Sequence, residues 1–92
     1  MIKFKNRVGW TVYKITAEEC YSFGGAAICD DCNTHCAEGG YLVPVLNHFM
    51  CSECYNDWNS CCKYYPEDIE FENSIIMYYE NILPVIDSPI PL

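Results

Sequence analysis

Two short cysteine pairs constrain this chain more than any other feature. Cys29-Asp30-Asp31-Cys32 and Cys51-Ser52-Glu53-Cys54 each have the spacing C-x2-C, and residues 33–50 separate them. Two residues between cysteines let both sulfurs turn toward one point. Two such pairs supply four thiolates, enough to complete the tetrahedral shell of one zinc ion. Four positions have to agree for this pattern, so it is far more specific than a lone C-x2-C. A shell completed by protein sulfur leaves no open coordination position, and that points to a structural ion rather than a catalytic one.

The length of the chain makes a staple of this kind useful. A chain of 92 residues is expected to form a single domain, residues 1–92, with a small core. Domains of that size bury a modest share of their surface and often depend on a metal or on disulfides. The apolar fraction of 51% supports a core and argues against disorder. The eight cysteines could instead form four bridges in a secreted scaffold. Residues 1–10, however, lack the apolar run of a signal peptide, and no stretch has the length and apolarity of a membrane span. The expectation is a cytoplasmic chain with reduced thiols, in which paired cysteines read as metal ligands.

Charge narrows the classes of partner. Thirteen acids stand against five lysines and arginines, giving a net charge of -8. Four of the five cations, Lys3, Lys5, Arg7 and Lys14, precede the first acid, Glu18; beyond it Lys63 is the only one. Zinc held by four thiolates would add about -2. Such a surface repels a phosphate backbone, so direct nucleic-acid binding is not expected. It serves solubility or a basic protein partner.

Residues 2–16 read as strand material, with a turn at 6–9 giving a hairpin. Thr16-Ala17-Glu18-Glu19 matches a capping box and opens a short helix that Gly24-Gly25 ends. Residues 28–36 form a cysteine-rich loop and Glu38-Gly39-Gly40 a turn. A strand is expected over 41–46, marked as an edge by Pro44. A second helix starts near Ser52 as its cap, shows Tyr55, Trp58, Cys62 and Tyr65 at helical spacing, and stops at Pro66. Residues 66–72 read as extended. Asn73 or Ser74 caps a third helix with the stripe Ile75, Tyr78, Tyr79, Ile82 and Leu83, ended by Pro84. The proline-rich tail, residues 84–92, cannot form a helix or central strand; it either adds to a partner's sheet or docks on its own domain.

Residues 28–65 resemble the treble-clef group of zinc domains. In that group a knuckle is followed by a β-hairpin and a helix whose first turn brings the last two ligands. Cys29 and Cys32 fall in the knuckle, residues 34–47 in the hairpin, and Cys51 and Cys54 at the helix start. The resemblance implies a small α+β zinc-stabilised domain, here with N-terminal strands and a C-terminal helix added. Cys29, Cys32, His48, Cys51 and Cys54 also look like the opening of a LIM domain, in which His48 and Cys51 would close the first site. The second LIM site then needs three further ligands. Only Cys61 and Cys62 follow, and neighbours on a helix diverge by about 100°. A RING-type cross-brace lacks a closing pair. His48 therefore stays open as a substitute ligand and Cys36 as a spare one. Cys20, Cys61 and Cys62 read as buried small hydrophobes. His35 reads as exposed, and Asp30 and Asp31 as solvated turn residues. As a whole the chain also looks similar to small uncharacterised proteins of gut bacteria and their phages.

Catalysis is not expected. A thioredoxin-like redox site needs a βαβ context and would leave the second C-x2-C unexplained. Phosphate loops, nucleophile elbows and His-Glu metalloprotease motifs are missing. Many tyrosines and tryptophans on a small platform favour a protein-interaction module. The alternatives are an acidic inhibitor or nucleic-acid mimic that blocks a basic groove of a nuclease or polymerase, and a nucleic-acid-binding zinc finger, which the charge disfavours.

Overall fold

The computed structural model describes residues 1–92. A mixed five-stranded sheet of order β4-β3-β2-β1-β5 forms its centre. β1 (Ile2–Lys5) and β2 (Thr11–Ile15) make the expected antiparallel hairpin. Asn6 holds its turn: Asn6 Oδ1 accepts the N–H groups of Val8, Gly9 and Trp10 at 3.2, 3.0 and 2.8 Å. The capping box also forms. Thr16 Oγ1 accepts from Glu19 N at 3.1 Å and Glu19 Oε1 accepts from Thr16 N at 3.0 Å, opening α1 (Ala17–Ser22). Gly24, at φ 91°, reverses the chain after it.

The next hairpin differs from expectation. It spans β3 (Gly40–Val43) and β4 (His48–Met50), not residues 34–47. The strand expected over 41–46 ends at Val43, and β3 lies inside the sheet between β2 and β4 rather than at its edge. Proline has no N–H for the ladder, so at Pro44 the chain turns instead of running on. Asn47 closes that turn at φ 53°, donating its N–H to Pro44 O at 3.0 Å.

α2 (Ser52–Cys61) is capped by Cys51, not by Ser52: Cys51 has extended backbone and its Sγ accepts the Cys54 N–H at 3.4 Å. The helix also stops short of Pro66. Arg7 donates to the carbonyls of Asn59 and Cys62 at 2.7 and 2.6 Å, and Trp10 Nε1 donates to Lys63 O at 2.9 Å. Side chains from the first hairpin thus satisfy carbonyls at the helix end, and the chain leaves the helix there.

Residues 66–72 are not extended. A 3₁₀ turn (Pro66–Asp68) leads into α3 (Ile69–Glu80), so neither Asn73 nor Ser74 caps the helix. Proline fits a first helical position because the N–H it lacks would be unpaired there. Glu67, Asp68 and Glu70 suit the positive end of the helix dipole. The early start puts Glu72 in the interior, where its Oε2 accepts the buried Thr11 N–H at 2.8 Å. Of the expected stripe, Ile75, Tyr79 and Leu83 are half-buried while Tyr78 and Ile82 face outward.

The tail docks on its own domain. β5 (Ile86–Asp87) pairs in parallel with β1, and the Ile86 and Ser88 N–H groups donate to Met1 O and Lys3 O at 2.9 and 2.7 Å. The three prolines of the tail fall outside the paired residues.

Both faces of the sheet are covered, because alternate strand residues point to opposite sides. Tyr13, Ile15 and Leu42 meet Ala17 and Cys20 of α1, with Tyr79 and Leu83 against them. Phe4, Val12, Val43 and Met50 meet Tyr55 of α2 and two cysteines, Cys29 and Cys36. No helix is long and apolar enough to cross a membrane.

Two carboxylates link this packing to pH. Burial pushes Glu80 up, but the hydrogen bonds from Lys3 and Tyr13, at 2.7 and 2.6 Å, outweigh it and hold the carboxyl below its ordinary value of 4.5. Glu19 is likewise pushed up by burial and drawn lower by the Met1 ammonium and Thr16. A depressed carboxyl binds fewer protons folded than unfolded. Its stabilisation is complete above the unfolded value and is lost as pH falls through the folded one. Melting temperature measured from about pH 7 to about pH 3 is therefore expected to drop below about pH 4.5. Glu80→Gln should flatten that drop; an unchanged profile would show that the Lys3–Glu80–Tyr13 contact carries none of it.

Candidate metal centre

The first cysteine pair sits in a turn held largely by main chain. Cys29 N–H donates to Thr34 O and Asn33 N–H to Cys29 O, both at 2.9 Å, while Cys36 N–H donates to Ala27 O at 2.7 Å. Asn33 takes the left-handed conformation, φ 63°, that lets the chain double back. Asp30 is not merely a solvated turn residue. Its N–H donates to Phe49 O and its Oδ2 accepts the Phe49 N–H, both at 2.8 Å. This reciprocal pair ties the first cysteine turn to β4, whose far end delivers Cys51 to the start of α2. Cys54 follows in the first helical turn.

Knuckle, hairpin and helix thus bring Cys29, Cys32, Cys51 and Cys54 together, with all four sulfurs within 4.8 Å of one another. Cys32 Sγ and Cys51 Sγ are 3.7 Å apart. A tetrahedron with metal–sulfur bonds of about 2.3 Å has edges of about 3.8 Å. The four sulfurs are positioned to bind one metal ion. Cys29 is fully buried, Cys51 and Cys54 are half-buried, and Cys32 is exposed.

The electrostatics fit the same conclusion. The side chain and backbone of Thr34 pull the Cys32 thiol down to about 6. Cys54 moves the other way: its contact with Cys51 Sγ, then Cys32 and burial, push it well above the ordinary thiol value. One negative charge is easily held in this group, but each further one meets like charge at contact distance. A divalent cation among the sulfurs removes that repulsion, and the thiolate is the form that ligates.

The other candidates lie outside the four-sulfur group. His48 is half-buried and its Nδ1 is 3.5 Å from Asp31 Oδ1. Cys36 is buried with Sγ 3.5 Å from Thr34 O, and burial raises its thiol. Cys20 is buried as expected, but Cys61 is exposed and Cys62 is half-buried with its sulfur 3.3 Å from Asn6 Nδ2. With Cys62 turned toward Asn6 of the first hairpin, its helix neighbour Cys61, about 100° away around the axis, faces outward. His35 is exposed, and its Nε2 meets Tyr21 Oη at 2.7 Å. Sequence reasoning missed Thr34 and the clamp made by Asp30. A hydroxyl two residues after Cys32 was the available signal for Thr34, since short polar side chains bond close neighbours. Asp30 had none, because its partner lies in β4. Comparison with family models, with curated proteins and with solved structures yields no match to this chain.

Proposed function

We propose that the chain is a zinc-stabilised, non-catalytic protein-interaction module. One structural Zn2+ is held by Cys29, Cys32, Cys51 and Cys54 in a treble-clef-type arrangement. The convergence of these four sulfurs within 4.8 Å carries the reading. All-sulfur donors favour zinc among the common divalent ions, and four of them close its shell. Knuckle, β3–β4 hairpin and α2 follow one another in treble-clef order. The Cys51 sulfur also receives the Cys54 N–H at the start of α2, where thiolate charge is favoured. Reduced thiols suit a cytoplasmic protein.

With its shell closed, the ion shapes the surface and leaves recognition to side chains. Met77, Tyr78 and Ile86 are 67%, 57% and 69% exposed and are open to contact with a partner. The acidic surface selects a basic protein and discourages nucleic acid. Elemental analysis of protein purified without added metal should find one zinc per chain. Immobilised protein should retain a defined partner from its host extract and release it on chelation. Metal-free protein that stays folded in reductant would overturn the reading.

A further inference from the structure

The wall of the metal centre is also the wall of a groove of about 320 Å³. Buried Cys20 and Leu42, with half-buried Phe49, line its interior. Phe23 and Tyr79 form one side, their rings meeting edge to face at 5.5 Å. The knuckle forms another through Ala27, Cys29 and Asp30. Three polar side chains, Asp30, Asn33 and Asn47, border it, and no lysine, arginine or histidine lines it.

The carboxylate at this border has no cation. Asp30 takes the Phe49 N–H on Oδ2, and the ion pairs of the molecule involve Glu19, Glu80 and Asp31 instead. The apolar lining reaches the outer surface. Ile28 is 43% exposed, and exposed Tyr78 packs edge-on against Tyr79 at 5.1 Å. The volume is at the lower limit for a small-molecule pocket but sufficient for one large side chain.

We propose that this groove docks a segment of a partner protein that presents one large apolar side chain next to a lysine or arginine. The apolar side chain fills the space over Leu42 and Phe49, and the cation meets Asp30. The proposal rests on the interaction-module reading and names its contact. Cys29 and Asp30 belong to both knuckle and groove, so the two sites are linked. Metal holds the wall in place for the segment, and by reciprocity the bound segment tightens metal binding.

The test is an amide NMR titration of the full, zinc-loaded chain with the peptides Ac-Trp-Lys-NH2 and Ac-Trp-Glu-NH2. Shifts should concentrate at Phe23, Ala27, Leu42, Phe49 and Tyr79, with the lysine peptide about fivefold tighter. Asp30→Asn keeps an acceptor for the Phe49 N–H but removes the charge, and should erase that preference. Ala26→Trp, at an exposed position lining the groove, should abolish binding of both peptides. Zinc content is measured in every sample. Protein with one zinc per chain that shows no groove shifts, or equal affinity for the two peptides, overturns the proposal and leaves the metal reading standing. Protein that folds and binds the lysine peptide without zinc overturns the metal reading and the linkage while supporting the groove.

Discussion

Cys29→Ser is expected to abolish metal binding and, with it, the native fold. Cys29 has no exposed surface and lies in the same cluster as Phe4, Val12 and Val43. Serine there removes a ligand and leaves a hydroxyl in an apolar place. Structural zinc binding in small domains is worth about 10–16 kcal/mol at neutral pH. Whole domains of this size are stable by about 5–14 kcal/mol. Loss of the first term therefore removes the second. Zinc analysis and circular dichroism of Cys29→Ser should show neither metal nor a cooperative melt. Cys36→Ser and His48→Ala, outside the four-sulfur group, should each retain one zinc. A Cys29→Ser protein that holds zinc and melts like the parent would sink the four-cysteine assignment, and loss of zinc in His48→Ala would return the histidine to the shell.

Trp10→Ala should be the most damaging change away from the metal. The indole is 2% exposed, lies 4.5 Å from the Tyr64 ring and donates to Lys63 O. It joins the β1–β2 turn to the segment that leaves α2. Truncation of a buried tryptophan to alanine costs about 3–5 kcal/mol. The carbonyl of Lys63 also loses its donor. Trp10→Phe retains a ring and loses the hydrogen bond, and should cost about 1–2 kcal/mol. Urea unfolding of zinc-loaded protein measures both. A Trp10→Ala loss below about 1 kcal/mol would show that this contact does not hold the two segments together.

The legible parts of the sequence are those whose partners are close along the chain. Thr16 and Glu19 cap each other across three residues, and the first hairpin closes around Asn6. Each C-x2-C is a local unit as well. The pairing of the two units needs only the recognition that zinc takes four ligands. Pro44 and Pro66 mislead for a common reason. Proline forbids certain hydrogen bonds but leaves the conformation of the next residues open. At Pro44 the chain turns, and at Pro66 it begins a helix that Thr11 anchors through Glu72.

The sequence by itself singled out the four cysteines that the fold brings together, and determined the first hairpin, the capped α1 and the net acidic charge. Spacing, capping chemistry and charge act over a few residues or need no geometry. Tertiary structure alone decided that Asp30 clamps the first cysteine turn to β4, that Glu72 accepts the buried Thr11 N–H, and that β5 pairs with the β1 edge. It also decided that the turn carrying Cys29 and Asp30 forms one wall of an apolar groove. Each of these depends on which distant surfaces meet when two faces of one sheet are buried, and contacts of that range leave no mark in local spacing.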